Sequence, residues 1–307
     1  MTLRRFTFRA MAAENEIQVH SEDAALAGHA AALAIAEVQR IEAKYSRYRP
    51  GSVVSRINAN AGRVTVPIDA ETRGLLGYAD TCWRQSDGAF DATSGVLRRA
   101  WDFTVPRVPA DSELAALVAR VGWDRVEVGP EGVRLRDAGM ELDFGGFGKE
   151  YAVDRAAFVL REAGVASALV NLAGDMMVAG PQPGGAPWRV GVRHPRDESR
   201  IVATLDIESG AIATSGDYER FIEVDGVRHC HVLDPRTGRS ARGFQSVTVH
   251  AASCLVAGSA TTVAMVMGEA RGLEWLESFG LPYLAVTASG RVVDRFGDKI
   301  QAHSRTS

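Results

Sequence analysis

Cysteine is scarce in this chain. Its 307 residues hold three, Cys82, Cys230 and Cys254, far apart and with no Cys-x-x-Cys pair among them. That excludes a disulfide framework and the usual zinc spacings, and it leaves three reduced thiols, two of which (Cys82 and Cys254) read as simply buried. Long apolar runs are missing as well. The opening MTLRRFTFRAMAAENEIQVH has two arginines but no apolar core behind them, whereas a secretory signal needs about 7–15 apolar residues there. No run approaches the ~18 apolar residues of a membrane helix, and no early cysteine offers a lipid anchor, so the sequence reads as cytoplasmic with no membrane segment. Nor is there an excess of charge of one sign. A net charge of -3 gives no broad pull toward nucleic acid or anionic membrane. Repeats, low-complexity tracts and long linkers are absent too.

What is present is the composition of a globular protein, 46% hydrophobic and 24% charged, with ample length for a sizeable core. Short strands are interspersed with helices, which predicts an α+β fold, read here as a single mixed-sheet domain over residues 1–307. Phe6–His20 reads as one or two strands around Met11-Ala12-Ala13. Ser21–Ile41 reads as a helix capped by Ser21, with Asp23 in its first turn. A short helix capped by Ser52 and a helix over Asp69–Ser86 come next, then a helix over Asp111–Val121 opened by an acidic cap. Arg63–Val66, Val126–Val128, Val133–Leu135 and Glu141–Phe144 look like strands, and Glu150–Glu162 like a helix. Strands over Ser167–Asn171, Asp175–Ala179, Trp188–Arg193, Ile201–Glu208 and Ser246–Ala251 precede helices over Cys254–Met267 and Glu269–Phe279. Strands over Pro282–Thr287 and Arg291–Phe296 close the chain, and His303–Ser307 reads as a frayed end.

Chemistry concentrates in Ala211–Ser240. Small residues lead into an alternating run, Arg220–Val224, and then Asp225-Gly226, the strongest short hairpin signal. The returning strand carries His229, Cys230 and His231 and stops at Asp234-Pro235-Arg236-Thr237-Gly238. Histidines at i and i+2 of a strand share a face. The segment is either an ordinary surface hairpin or a ligand-facing one able to hold an anion and move a proton.

Other turns invite the same question. Leu142 to Asp154 is a strand emptying into Gly145-Gly146-Phe147-Gly148 at the start of a helix, with Lys149 on its first turn. Exposed N–H groups and the positive helix end favour phosphate. The Walker frame fails at Glu150 and the Gly-x-Gly-x-x-Gly spacing is not met, so close strand–helix packing is the competing explanation. Asp87–Gly95 is either a site loop or a turn plus cap. Asn171–Asp175 reads as a plain glycine turn. Gly258, Ser259, Thr261 and Thr262 on the Cys254–Gly268 segment permit close approach of a ligand or of a packed neighbour.

Taken in order, the blocks Phe8–Met11, Tyr45–Tyr48, Asp87–Thr93, Asp143–Asp154, Val170–Asp175, Ala213–Tyr218 and His231–Gly238 resemble the FAD:protein FMN transferases, the ApbE family, from Phe8 to about Gly268. The resemblance implies an α+β domain with the flavin crevice between sheet and helices. It implies an enzyme that, with Mg²⁺, cleaves FAD and attaches FMN through a phosphoester to a Ser or Thr of an acceptor protein, releasing AMP. The acceptor is typically a subunit of an electron-transport complex. Carried over by motif, Met11, Tyr48, Ala89, Phe90, Asp91, Asp143, Lys149 and Val232 would line the flavin nucleotide site. Gly146 and Thr262 would hold the metal, and His231 would be the catalytic base.

The match departs from the family's pattern at the metal site. The late helix of the family usually carries Asp four residues before its Thr, and here that position is Gly258. The usual glycine after the lysine is Glu150, and the usual glycine after Met11 is Ala12. Losing a carboxylate weakens a hard-cation site, and a Gly258→Asp change would be expected to restore it. The alternative reading is therefore a flavin-binding or FAD-hydrolysing relative that does not flavinylate protein.

Overall fold

The computed structural model describes residues 1–297 and 300–302. The chain opens with an antiparallel hairpin, β1 (Thr2–Ala10) and β2 (Ala13–Ser21), turning at Met11-Ala12. Helices α1 (Ala24–Tyr45), α2 (Val53–Ala59), α3 (Ala70–Gln85) and α4 (Asp111–Val118) follow. The start of each of the first three is set by a side chain that accepts from free first-turn N–H groups. Asp23 takes those of Ala25 and Leu26, Ser52 that of Ser55, and Asp69 that of Thr72. Asp23 rather than Ser21 is thus the cap of α1. A small hairpin, β3 (Val126–Gly129) and β4 (Gly132–Leu135), leads to α5 (Gly148–Glu162). The middle of the chain is β-rich: β5 (Ala168–Leu172), β6 (Asp175–Gly180), β7 (Trp188–His194), β8 (Asp197–Ile207) and β9 (Gly210–Gly216). The hairpin of β10 (Phe221–Val224) and β11 (Val227–Cys230) stands apart from the larger sheets. Then come β12 (Phe244–Ala251), α6 (Cys254–Met267), α7 (Glu269–Phe279), β13 (Tyr283–Thr287), β14 (Val292–Asp294) and β15 (Ile300–Ala302).

Eight strands form one antiparallel sheet in the order β1-β2-β5-β6-β9-β12-β13-β14. The period-2 alternation of its strands sends side chains to two different cores. Val170, Ala211, Ala213, Val247, Val249 and Ala285 face a helical layer in which α1, α5 and α6 contribute many alanines. Leu169, Val178, Ile212, Leu284 and Val286 face the opposite way, onto Trp188, Val190, Ala203 and Leu205 of the three-stranded sheet β15-β8-β7. The α+β mixed-sheet fold expected from the sequence is the one found.

Two expected strands are not strands. Of Arg63–Val66 only Val66 pairs, with Val133. Glu141–Phe144 has a single bridge, from Glu141 to Ser94, because the main chain of Leu142 is held by the Asn58 amide, which donates to its carbonyl (2.9 Å) and accepts from its N–H (2.7 Å). The expectation for His303–Ser307 lies outside the described residues.

Candidate functional site

The site begins where β-structure gives way to α5. The N–H of Asp143 donates to the Ala92 carbonyl (2.8 Å), which ties the Asp87–Gly95 loop to the Gly145–Gly148 loop. The Asp143 carboxylate accepts from the Gly145 N–H (2.8 Å) and pairs with Arg47 (3.1 Å) and Arg98 (3.4 Å). Arg47 also donates to the Gly95 carbonyl (2.9 Å), and a Cβ at Gly95 would fall 2.7 Å from that of Asp143, so only glycine lets the two loops close. Asp143 thus organises the cradle, and both its oxygens are engaged by this chain's own residues.

Asp91 has a similar but deeper place. One carboxylate oxygen accepts from the N–H and hydroxyl of Thr93 (2.7 and 2.6 Å) and the other from the N–H of Trp123 (3.0 Å). Burial pushes its carboxyl above the usual range, against those hydrogen bonds. Ala89 and Phe90 are buried, and the Phe90 ring lies under Gly146, 3.5 Å from where a Cβ would be. These side chains are buried supports of the Gly145–Gly148 loop region rather than a reactive surface. Tyr48, 76% exposed with the Arg47 guanidinium 5.4 Å from its ring, stands at the rim. Met11 is placed by the β1–β2 turn, its N–H held by Glu42 at 3.0 Å.

Lys149, on the first turn of α5, pairs with Asp175 at 2.5 Å. Burial alone would lower its ammonium, but the charge of Asp175 beside it outweighs that and holds it charged. Asp175 is itself 3% exposed and also accepts from the Thr214 N–H (3.2 Å). Glu150 is buried, and burial followed by the charge of Asp175 pushes its carboxyl well up. Its Oε2 has no partner among the described residues.

His231 lies just past β11, where its N–H still donates to the Arg220 carbonyl (2.9 Å). Its pKa is lowered to about 4, by burial first and then by the positive charges of Arg98, Arg220 and Lys149. Its buried Nδ1 has no partner among the described residues. The imidazole is therefore neutral at pH 7, and Lys149 and Arg98 share its neighbourhood. His229 has different company. Its ring is 5.7 Å from that of Trp101, in a cleft of about 300 Å³ with Arg239 and Arg242, which His231 does not line. The two histidines do not act together, because β11 ends at Cys230 between them. Val232 packs against the main core and accepts from the Ala241 N–H at 2.8 Å.

Thr262 is half-buried on α6 and makes no side-chain hydrogen bond among the described residues. Four residues earlier, Gly258 has no room for a side chain: a Cβ would lie 2.4 Å from Glu150 Cγ. A Gly258→Asp change alone would therefore collide with Glu150 instead of simply restoring a ligand. Sequence reasoning passed over Asp175, Arg47, Arg98 and Arg220. Asp175 follows the left-handed pair Ala173-Gly174, but its burial is a property of the assembled sheet, and the arginines carry no motif of their own.

The fold brings a glycine-rich helix start, a charged lysine and a neutral imidazole into one neighbourhood, groups chemically able to hold an anion and to take a proton. The comparisons with known proteins narrow that chemistry. The ApbE family profile matches residues 11–285. The chain is 34% identical to the FAD:protein FMN transferase of Vibrio cholerae over 81% of this chain and 76% of that protein. It superposes on the ApbE protein of Thermotoga maritima with a TM-score of 0.88 at 32% identity, covering 95% of this chain and 97% of the other. With Pseudomonas stutzeri flavinyl transferase ApbE the TM-score is 0.84 at 29% identity, over 95% and 93%. The chain belongs to the ApbE family.

Proposed function

We propose that this crevice binds FAD and that the protein, acting as one functional unit, transfers FMN from it to a serine or threonine of an acceptor protein. The observation that carries the reading is the convergence of charged Lys149 and a neutral, unpartnered His231 beside Arg98 and the Gly145–Gly148 loop. The acceptor hydroxyl attacks the phosphorus on the FMN side of the pyrophosphate, the P–O bond to AMP breaks, and His231 takes the hydroxyl proton. Lys149 and the helix start bind the negative phosphates. Met11 and Tyr48 bound the nucleotide at the rim, while Ala89, Phe90, Asp91 and Val232 shape its floor and flank. Asp143 keeps the two loops together. An acceptor from an electron-transport complex fits a product that carries flavin.

The oxygen donors suit a hard cation. Glu150 Oε2 and the Thr262 hydroxyl, both without a partner among the described residues, fit Mg²⁺, with the Gly146 carbonyl as a third donor. When bound, the cation supplies charge neutralisation at the pyrophosphate. Among the described residues no helix is long and apolar enough to cross a membrane, and the three cysteines are free thiols, which suits the reducing cytoplasm proposed here.

Incubation with FAD and Mg²⁺, with and without a Ser/Thr acceptor peptide from a flavinylated electron-transport subunit, followed by separation of AMP and FMN, tests the proposal. AMP release with flavin bound covalently to the peptide is expected. Free FMN and AMP with an unlabelled peptide would make the protein a hydrolase, and intact FAD would remove the catalytic reading.

A further inference from the structure

Two positions at which this chain departs from its family lie far apart in sequence and meet in space. Residue 258 is glycine where the resemblance to the ApbE family implies a metal-ligating aspartate, and residue 150 is glutamate where it implies glycine. A Cβ built at Gly258 would lie 2.4 Å from Glu150 Cγ, 3.0 Å from its Cδ and 3.1 Å from its Oε1. The glutamate side chain therefore fills the space a side chain at 258 would need. It reaches there from the first turn of α5, across the tightly packed α5–α6 contact.

Glu150 is not a surface charge that happens to lean inward. It is 8% exposed and its buried Oε2 has no hydrogen-bond partner among the described residues. Burial and the neighbouring Asp175 push this carboxyl well up, and leaving one of its buried oxygens unpaired costs more than a typical hydrogen bond contributes, so such an atom marks a missing partner. Lys149 next to it is already paired with Asp175. On α6, Thr262 is one turn beyond Gly258 and so shares its face, and its hydroxyl is free among the described residues. The loop carbonyl of Gly146 precedes Glu150 by a single turn of chain.

We propose that Glu150 is the carboxylate ligand of the crevice's divalent cation, carried on α5 in place of the aspartate usually carried on α6. The exchange keeps the number of carboxylates in the site and moves the backbone that presents one. It also explains why residue 258 is glycine: with Glu150 inside, nothing larger fits. The cation's role in the reaction rests on the flavin-transferase reading, whereas the ligand assignment does not.

Mn²⁺, which takes the same oxygen donors, is the probe. Its binding to the protein, alone and with FAD but without acceptor, is followed by loss of the free-ion electron paramagnetic resonance signal. FAD affinity is measured separately, without metal, by flavin fluorescence. Glu150→Gln keeps the shape of the side chain and should weaken Mn²⁺ by roughly tenfold or more, at least what losing an outer-shell partner costs, with FAD affinity unchanged. Glu150→Gly combined with Gly258→Asp should recover Mn²⁺ binding, and Gly258→Asp alone should not tighten it. Mn²⁺ affinity unaltered in Glu150→Gln, or no saturable Mn²⁺ binding by the native protein with or without FAD, overturns the assignment. Absence of FAD binding would instead overturn the flavin reading.

Discussion

His231 is a weak base made available rather than a strong one. Burial and three nearby cations hold it neutral, and its Nδ1 has no competing partner among the described residues. Its basicity is set by what binds. A pyrophosphate beside the ring favours the protonated form and raises its pKa, since an opposite charge within a few ångströms stabilises imidazolium. The base must be neutral to act, so activity falls as pH drops through its pKa. The acid limb of kcat/KM, which reports the free enzyme, should therefore lie near 4, and that of kcat should lie higher. His231→Ala should lower kcat by roughly 10²–10⁴-fold, the usual worth of a general base, with FAD affinity kept. Coincident limbs, or an acid limb that survives in His231→Ala, would take the proton transfer away from this residue. The stability sign is the same. The folded pKa lies below the ordinary value of 6.5, so the unfolded chain binds the proton first. This contribution to stability is present above about 6.5 and is lost as pH falls toward 4.

At the scale of elements, the β1–β2 turn stands out because neither of its residues is glycine. Met11 and Ala12 have φ of 53° and 61°, the left-handed pair that a two-residue hairpin requires. An L-residue there is strained by roughly 1–2 kcal/mol. Part of that is recovered by glycine, whose unfolded chain is freer, so Ala12→Gly should raise stability by about 0.5–1 kcal/mol. The measurement is the denaturant midpoint at constant slope, and an unmoved midpoint would mean the turn carries no strain. The same turn shows what was legible in advance: two strands around Met11-Ala12-Ala13 are visible in the alternation, whereas the cost of the turn is not. Helices α6 and α7 were readable to their ends, because Ser253 caps the first and Gly268 and Gly280, at φ of 77° and 63°, stop the two. Helix α1 runs on to Tyr45, which continues the buried stripe at i+4 from Ile41, and its last turn is held as Lys44 pairs with Asp69 and Glu71 while Glu42 holds the Met11 N–H. Glu141–Phe144 looks like a strand until Asn58 is known to occupy its main chain. Side chains from distant segments decide such cases, and no local pattern records them. The same limit separates Lys149 and His231, which motifs mark, from Glu150, whose role needs Gly258 beside it.

For the whole molecule, the proposed flavin crevice would follow from one antiparallel sheet with helices on a single face. Its parts come from the β1–β2 turn, the Asp87–Gly95 loop, the Gly145–Gly148 loop, α6 and the segment after β11, and they share no local sequence. The opposite face is closed by β7 and β8 over a separate core. A ligand that binds only the folded chain stabilises it by RT ln(1 + [L]/Kd), about 2.7 kcal/mol at a hundredfold excess over Kd. If FAD bridges these segments, its effect on local opening must appear at all of them together. Hydrogen exchange with and without FAD should therefore slow at residues 9–12, 87–95, 143–149 and 231–233 in parallel, with residues 188–207 least affected. Slowing confined to one of these segments would mean that the ligand rests on a single loop. A crevice assembled from the whole chain would then be an accident of packing, and the proton relay would lose the partner that gives Lys149 and His231 a common purpose.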